Sequence, residues 1–533
     1  MLAAVLLFAA LLTPGQEQNQ SRRQGQNATP QATPTPQASA SPTASPAASP
    51  GGQARRGGAE PASTPAEEPP IVTRHEIKVG GKTLRYTATV GMMPIKNRDG
   101  ETEARMFFMA YTLDNPSRVQ RPLTFAFNGG PGSASVWLHL GAIGPKRVRM
   151  NSDGTMPSPP FDLVDNEYTW LSQSDLVFID PVGTGYSRAV RPDLEQKFFS
   201  LNGDIESVGE FIRLYLSRYE RWTSPLFLSG ESYGTTRASA LSGYLIDRGI
   251  AFNGIVLIST IMNFETTSFA SGNDLAYQLF LPSYAATAWY HKKLSPDLQS
   301  RPVQQIVAEV EQWAAGEYSQ ALAKGDLLSS SERQDIVNKL ARYTGLSSSF
   351  IDNANLRVSL NLFRKELLRG EKRSIGRLDA RFKGYDTNLA TDSPDFDASE
   401  AAIRPPYTST FNNYVRTELG YKSDLEYYIL GGGITSPWNW NTNNNYVDTS
   451  TALRNALAKN PYLKVFVAMG YYDMATPYFA AHYTLHHISL DPSLLKNIST
   501  GYYEAGHMMY IDEKSLTKMT ADVGKFMEQA QRR

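Results

Sequence analysis

The spacing of apolar residues changes along this chain, and each change predicts a different element. Thr73 to Val79 and Lys82 to Val90 alternate apolar and polar side chains around Gly80-Gly81, the pattern of a hairpin. Arg105 to Thr112 and Pro122 to Phe127 read as further strands. Leu176-Val177-Phe178-Ile179-Asp180 differs: it is a short unbroken apolar run ending in a Pro/Gly turn, as expected of a strand buried on both faces of a largely parallel sheet. Leu226 to Ser229, Gly254 to Ser259 and Leu463 to Met469 share that character, and helical patterns such as Ile205 to Arg218 and Ala238 to Arg248 separate several of them. The predicted class is α/β, with a mostly parallel central sheet and helices on both faces.

Between about Met262 and Asn445 the β-type runs vanish. Helix-compatible stretches take over at Val303 to Ala323, Ser331 to Thr344 and Leu356 to Leu368. Core-type signals resume afterwards, so residues 71–261 and 446–533 are expected to form one catalytic core and 262–445 an inserted helical cap. Residues 16–70 are Gln, Ala, Pro, Ser, Thr and Gly with almost no large apolar side chain, and are expected to be a disordered linker, because they cannot bury enough surface to offset ordering. The apolar run Met1 to Leu12 is far short of the roughly 20 residues a membrane-spanning helix needs, and reads as the core of a signal peptide over residues 1–15. Export to a periplasm or to the exterior is expected, with no stable membrane insertion of the mature chain.

The composition agrees with a soluble enzyme: 41% of the 533 residues are hydrophobic and 20% charged, and 52 basic side chains balance 52 acidic ones. Such a balance argues against a nucleic-acid partner. The absence of cysteine excludes disulfides, a thiol nucleophile and a lipid-modified cysteine. The oligomeric state is not readable.

Candidate chemistry centres on Gly230-Glu231-Ser232-Tyr233-Gly234, which directly follows the apolar run Pro225 to Ser229. A G-x-S-x-G pentapeptide between a strand and a helix-compatible run is a nucleophile elbow, and it makes Ser232 the candidate nucleophile. In α/β-hydrolases the order is serine, acid, histidine, so His75 and His139 lie on the wrong side of Ser232 and His291 falls in the cap. His482, His486 and His487 share a helix-compatible segment, whereas His507 follows Gly506 in a loop before the last helix and is the expected base. The His482/His486 spacing invites a metal reading, but Tyr483 stands where a zinc protease would carry its glutamate, so no metal is expected. Asp473, just beyond the strand Lys464 to Met469, is the expected orienting acid; a helix-capping role is its structural alternative. The loop Asn128-Gly129-Gly130-Pro131-Gly132 offers unobstructed N–H groups, so one of its glycines and the N–H of Tyr233 are the candidate oxyanion donors. No Walker lysine follows it, which argues against a nucleotide.

Four separated segments, Asn128-Gly129-Gly130-Pro131-Gly132, Asp180-Pro181-Val182-Gly183-Thr184-Gly185-Tyr186-Ser187, Gly230-Glu231-Ser232-Tyr233-Gly234 and Gly506-His507-Met508, together resemble the serine carboxypeptidase family, in the form of a bacterial-type member without cysteines. The resemblance runs from about Ile71 to Gln529. It implies an α/β-hydrolase fold, a triad of Ser232, Asp473 and His507, oxyanion N–H groups from Gly130 and Tyr233, no cofactor, and binding of a peptide's terminal carboxylate by Asn128 and Glu231. Two carboxylates repel unless one is protonated, so Glu231 is expected to be held neutral. The chain departs from the family pattern at Ala126, where a tryptophan is usual, at Ala142, where a second acid is usual, and at Ser133, where a cysteine is usual. The expected activity is removal of C-terminal residues from peptides with a free C-terminus through an acyl-enzyme. The alternatives are an acyltransferase or esterase on the same scaffold, and a non-catalytic binding module.

Overall fold

A computed structural model describes residues 67–114 and 121–532. The expected signal peptide and nearly all of the linker lie outside the described residues. A ten-stranded sheet runs through the molecule. Its strands are β1 (Ile71–Val79), β2 (Lys82–Lys96), β3 (Thr102–Leu113), β4 (Leu123–Phe127), β5 (Asp175–Ile179), β6 (Leu226–Ser232), β7 (Gly254–Thr260), β8 (Lys464–Gly470) and β9 (Ile498–Tyr503), with the two-residue strand Arg188–Ala189 on the edge of β3. Their order in the sheet is β1-β2-β3-β5-β4-β6-β7-β8-β9. β1 to β3 pair antiparallel, β3 meets β5 antiparallel, and every later pairing is parallel. This topology is that of an α/β-hydrolase.

The unbroken apolar runs are the parallel strands because both of their faces are covered. β4, β5 and β7 are buried at every position. On one face lie α1 (Leu201–Arg218), through Val208, Phe211 and Ile212, and α2 (Tyr233–Ile246), through Leu241 and Leu245. The Ser200 hydroxyl accepts the N–H of Gly203 at 3.1 Å and so starts α1 ahead of the apolar period that marks it in the sequence.

Helices α3 (Leu275–Tyr290), α4 (Val303–Trp313), α5 (Ser330–Thr344) and α6 (Ala398–Thr417) lie between β7 and β8, with the two-residue strands Ser374–Ile375 and Lys383–Gly384 between α5 and α6. The helical stretch expected over Val303 to Ala323 forms, as Val303–Trp313 and Ser319–Lys324 joined through a wider helical turn over Ala314–Tyr318. Residues of α3 to α5 join the hydrophobic cluster of α1 and α2, while Tyr407, Phe411 and Tyr414 of α6 join the cluster on the opposite face. The inserted region therefore shares both cores with the sheet. After β8 come α8 (Tyr478–His486), preceded in the chain by α7 (Ser450–Lys459), and the C-terminal α9 (Glu513–Gln531), whose Leu516, Met519 and Val523 complete the second face. Among the described residues no helix is long and apolar enough to cross a membrane.

Candidate active site

The carboxyl ends of β6, β7, β8 and β9 converge on one region, as expected for a ligand site on an open parallel sheet. β6 delivers Ser232 with φ 61° and ψ −132°, a conformation that costs a non-glycine residue about 1–3 kcal/mol and that α2, starting at Tyr233, over-determines. Gly230 makes the turn possible, because a Cβ there would overlap the carbonyl oxygen of Gly234. Gly129 brings the early glycine loop against the elbow: a Cβ on it would lie 2.5 Å from the N of Tyr233 and 2.7 Å from that of Gly234. Gly130, with φ 100°, follows directly. The two expected oxyanion donors thus belong to segments in direct backbone contact.

Asp473 is wholly buried beyond the end of β8, and its two oxygens are divided between two tasks. Oδ1 accepts the N–H groups of Ala475 and Thr476 at 2.8 and 2.9 Å, which caps the turn leading to α8. Oδ2 accepts the Thr476 hydroxyl at 2.7 Å and lies 2.8 Å from Nδ1 of His507. Capping and orienting are therefore simultaneous. A carboxylate fixed by three other contacts selects the His507 tautomer that carries its proton on Nδ1, leaving Nε2 free to accept.

The His507 backbone is pinned from both sides. Its N–H donates to the Leu378 carbonyl at 2.6 Å, and its carbonyl accepts the Ser259 hydroxyl at 2.6 Å. Asp379 takes the N–H of Gly506 at 3.1 Å and is itself held by Arg381, which also reaches Asp512. Burial alone would lower the His507 pKa, but the Asp473 carboxylate outweighs it and holds the imidazole above its ordinary value.

Glu231 and Asn128 meet beneath the elbow. The Asn128 amide donates to Glu231 Oε1 at 3.0 Å, and its own carbonyl oxygen accepts the N–H of Leu138 at 3.0 Å. Burial pushes the Glu231 carboxyl up to about 7, with His507 and neighbouring donors pulling the other way. The carboxyl is therefore largely neutral in mildly acidic solution.

Behind these residues sits a buried ion pair that the sequence did not announce. Arg237, 1% exposed, donates to Asp204 at 2.8 Å and to the Asn128 carbonyl at 2.7 Å, while the Tyr233 hydroxyl donates to the same Asp204 oxygen at 2.9 Å. The segment after α6 closes one side of the site. It pairs with Ser133 through Leu430, with Gly185 through Tyr428 and with Ser200 through Asn439, and it sets Trp438 and Trp440 edge-on to the Tyr233 ring.

The other histidines lie elsewhere. His139 is buried against the Tyr111 hydroxyl at 2.7 Å, and burial lowers it to about 3. His291 contacts the Ala380 carbonyl, and His482 and His486 touch through their Nε2 atoms at 2.9 Å on α8.

A strained serine elbow, a buried Asp–His pair and a glycine loop on this sheet define a serine hydrolase of the α/β-hydrolase class. The profile of the serine carboxypeptidase family matches residues 82–522, and the chain belongs to that family. It is similar to the pheromone-processing carboxypeptidase KEX1 of Saccharomyces cerevisiae, 36% identical over 157 residues, which are 27% of this chain and 20% of the yeast protein. It is also similar to serine carboxypeptidase-like 2 of Arabidopsis thaliana, 30% identical over 137 residues, 25% of this chain and 30% of the plant protein. The matched segments thus span less than a third of either relative. Among solved structures, a carboxyl esterase from Bacillus coagulans superposes on 82% of this chain and 99% of its own at a TM-score of 0.32 and 11% identity.

Proposed function

We propose that this protein is a serine-type carboxypeptidase that removes C-terminal residues from peptides with a free C-terminus. The observation that carries the reading is the buried Glu231 carboxyl, bonded to the Asn128 amide one residue from the nucleophile; burial pushes it up to about 7, so it is protonated in mildly acidic solution. A protonated carboxyl and an amide are both donors, and together they suit a carboxylate.

In this reading Ser232 Oγ attacks the carbonyl of the last peptide bond while His507 Nε2 takes its proton, and Asp473 stabilises the imidazolium. The N–H groups of Gly130 and Tyr233 receive the negative charge that develops on the carbonyl oxygen. His507 then protonates the departing amine, the released residue leaves, and water repeats the sequence on the Ser232 ester. No step needs a cofactor.

The test is release of C-terminal residues from paired peptides with free and amidated ends, followed by mass spectrometry, with Ser232→Ala as control. Release confined to free ends and lost in the variant is the expected result. Equal release from amidated ends would remove Asn128 and Glu231 from carboxylate recognition. We also propose export of the mature chain, supported by the apolar run from Met1 to Leu12; N-terminal sequencing of protein recovered outside the cytoplasm tests it.

A further inference from the structure

Two buried polar atoms beside the elbow, Oε2 of Glu231 and the hydroxyl of Tyr510, make no hydrogen bond of good geometry, although they lie close enough to interact with each other. A buried polar atom left unsatisfied is costly, so a pair in one place calls for an explanation. They are neighbours. Tyr510 is 2% exposed, and its hydroxyl lies close enough to both Glu231 and Asn128 for each to influence its ionisation. It sits on the turn Met509–Ile511, immediately after His507-Met508, so the backbone that places the base also places this ring.

Room for the ring comes from Gly141. A Cβ on Gly141 would overlap the Tyr510 ring and approach the Tyr407 hydroxyl to 2.7 Å. The ring therefore packs directly on the backbone of the His139–Ile143 turn, fixing where its hydroxyl points. Asn128 retains one amide hydrogen beyond the bond it gives Glu231, protonated Glu231 carries one O–H, and Tyr510 carries one more. A carboxylate has two oxygens and about four acceptor positions, enough to accept all three donors.

We propose that the Tyr510 hydroxyl is the third donor of the substrate-carboxylate site, acting with Asn128 and Glu231. This assignment rests on the carboxypeptidase reading. It makes Tyr510 a specificity residue: it contacts the end of the peptide that distinguishes a free C-terminus from a blocked one, and takes no part in proton transfer at Ser232.

The test is calorimetric binding of N-acetyl-Phe-Leu and its C-terminal amide to Ser232→Ala and to Ser232→Ala combined with Tyr510→Phe. Ser232→Ala is expected to bind the acid more tightly than the amide. Adding Tyr510→Phe should weaken acid binding about tenfold, the worth of one hydrogen bond to a charged group, and leave amide binding within about twofold. Retained amide binding also shows that the variant is folded. Equal weakening of acid and amide, or no change in either, overturns the proposal. If Ser232→Ala itself binds acid and amide alike, the carboxylate-site reading fails first and the Tyr510 assignment falls with it.

A second readout separates a binding role from a packing role. A tyrosine O–H beside Glu231 favours its ionised form, so Tyr510→Phe with Ser232 intact should raise KM for free-ended peptides and move the alkaline fall in kcat/KM to higher pH. An alkaline limb that stays in place argues against the assignment.

Discussion

Arg237 and Asp204 form a buried ion pair, at 2.8 Å and no more than 2% exposed, that ties the two halves of the expected oxyanion site together. Asp204 holds the side chain of Tyr233, and Arg237 holds the carbonyl of Asn128, so one pair fixes both the elbow and the glycine loop. Removing one member leaves the other as an uncompensated buried charge, at a cost of about 3–5 kcal/mol. Arg237→Met should lower stability by that order, while the double variant Arg237→Met, Asp204→Leu should recover part of it. Urea unfolding of the set measures both. A double variant no more stable than the worse single one would show that the pair is not a coupled unit.

The pH dependence of peptide hydrolysis follows from opposite demands on Glu231 and His507. The Glu231 carboxyl, raised to about 7 by burial, is protonated below that pH and able to donate; above it the group ionises and repels the substrate carboxylate. His507 must be neutral to accept the serine proton, and its raised pKa sets the acidic limb. kcat/KM for free-ended peptides should therefore fall as pH rises through about 7. Glu231→Gln, which stays a donor at every pH, should lack that alkaline fall. An unchanged falling limb in the variant would assign it to another group.

Thr476 should matter to catalysis without touching substrate. Its hydroxyl donates to Asp473 Oδ2 at 2.7 Å and lies 3.2 Å from His507 Nδ1, so it fixes the carboxylate oxygen that faces the imidazole. A hydrogen bond to a charged group is worth about 1.5–3 kcal/mol, which converts to roughly 10- to 100-fold in kcat for Thr476→Val. Asp473→Asn should be more severe, near 10⁴-fold, because it imposes the wrong tautomer on the base. Steady-state kinetics on one peptide checks the ranking. A Thr476→Val enzyme as slow as Asp473→Asn would mean that the threonine is needed for the fold of the turn.

What was legible in the sequence was whatever is local. The Ser232 elbow and the His507 loop are short motifs, and the inner parallel strands announce themselves because burial on both faces leaves them mostly apolar, whereas the partly exposed edge strand β9 carries no such run. β2 runs past the expected Val90 to Lys96, since Gly91 to Ile95 lose alternation where the strand is covered on both sides. Arg237 was not legible. Within a helical run it resembles any surface arginine. Leu378 and Asp379 hold His507 from the middle of the inserted region, a contact between distant segments that no periodicity encodes. Tyr510 is not legible for the same reason: it meets Glu231 and Asn128 across distant segments.

Asp180 should make the fold itself more stable in acid. Its carboxyl is wholly buried, with Oδ1 accepting the N–H of Ser135 at 2.8 Å and Oδ2 unpartnered beside Tyr427, and burial raises it to about 7 despite the opposing pull of Ser135, Tyr427 and Arg188. In the unfolded chain the same group ionises near 4. Between those values the native state holds a proton that the unfolded state has released, so stability falls as pH rises from about 4 to about 7, and this group contributes no further change once both states are ionised. The difference corresponds to roughly 4 kcal/mol. Asp180→Asn keeps an oxygen for Ser135 and cannot ionise, so its stability should decline less across that interval. Urea unfolding at pH 5 and pH 8 for both proteins measures the slope; parallel declines would show that the Asp180 carboxyl does not stay protonated in the native state.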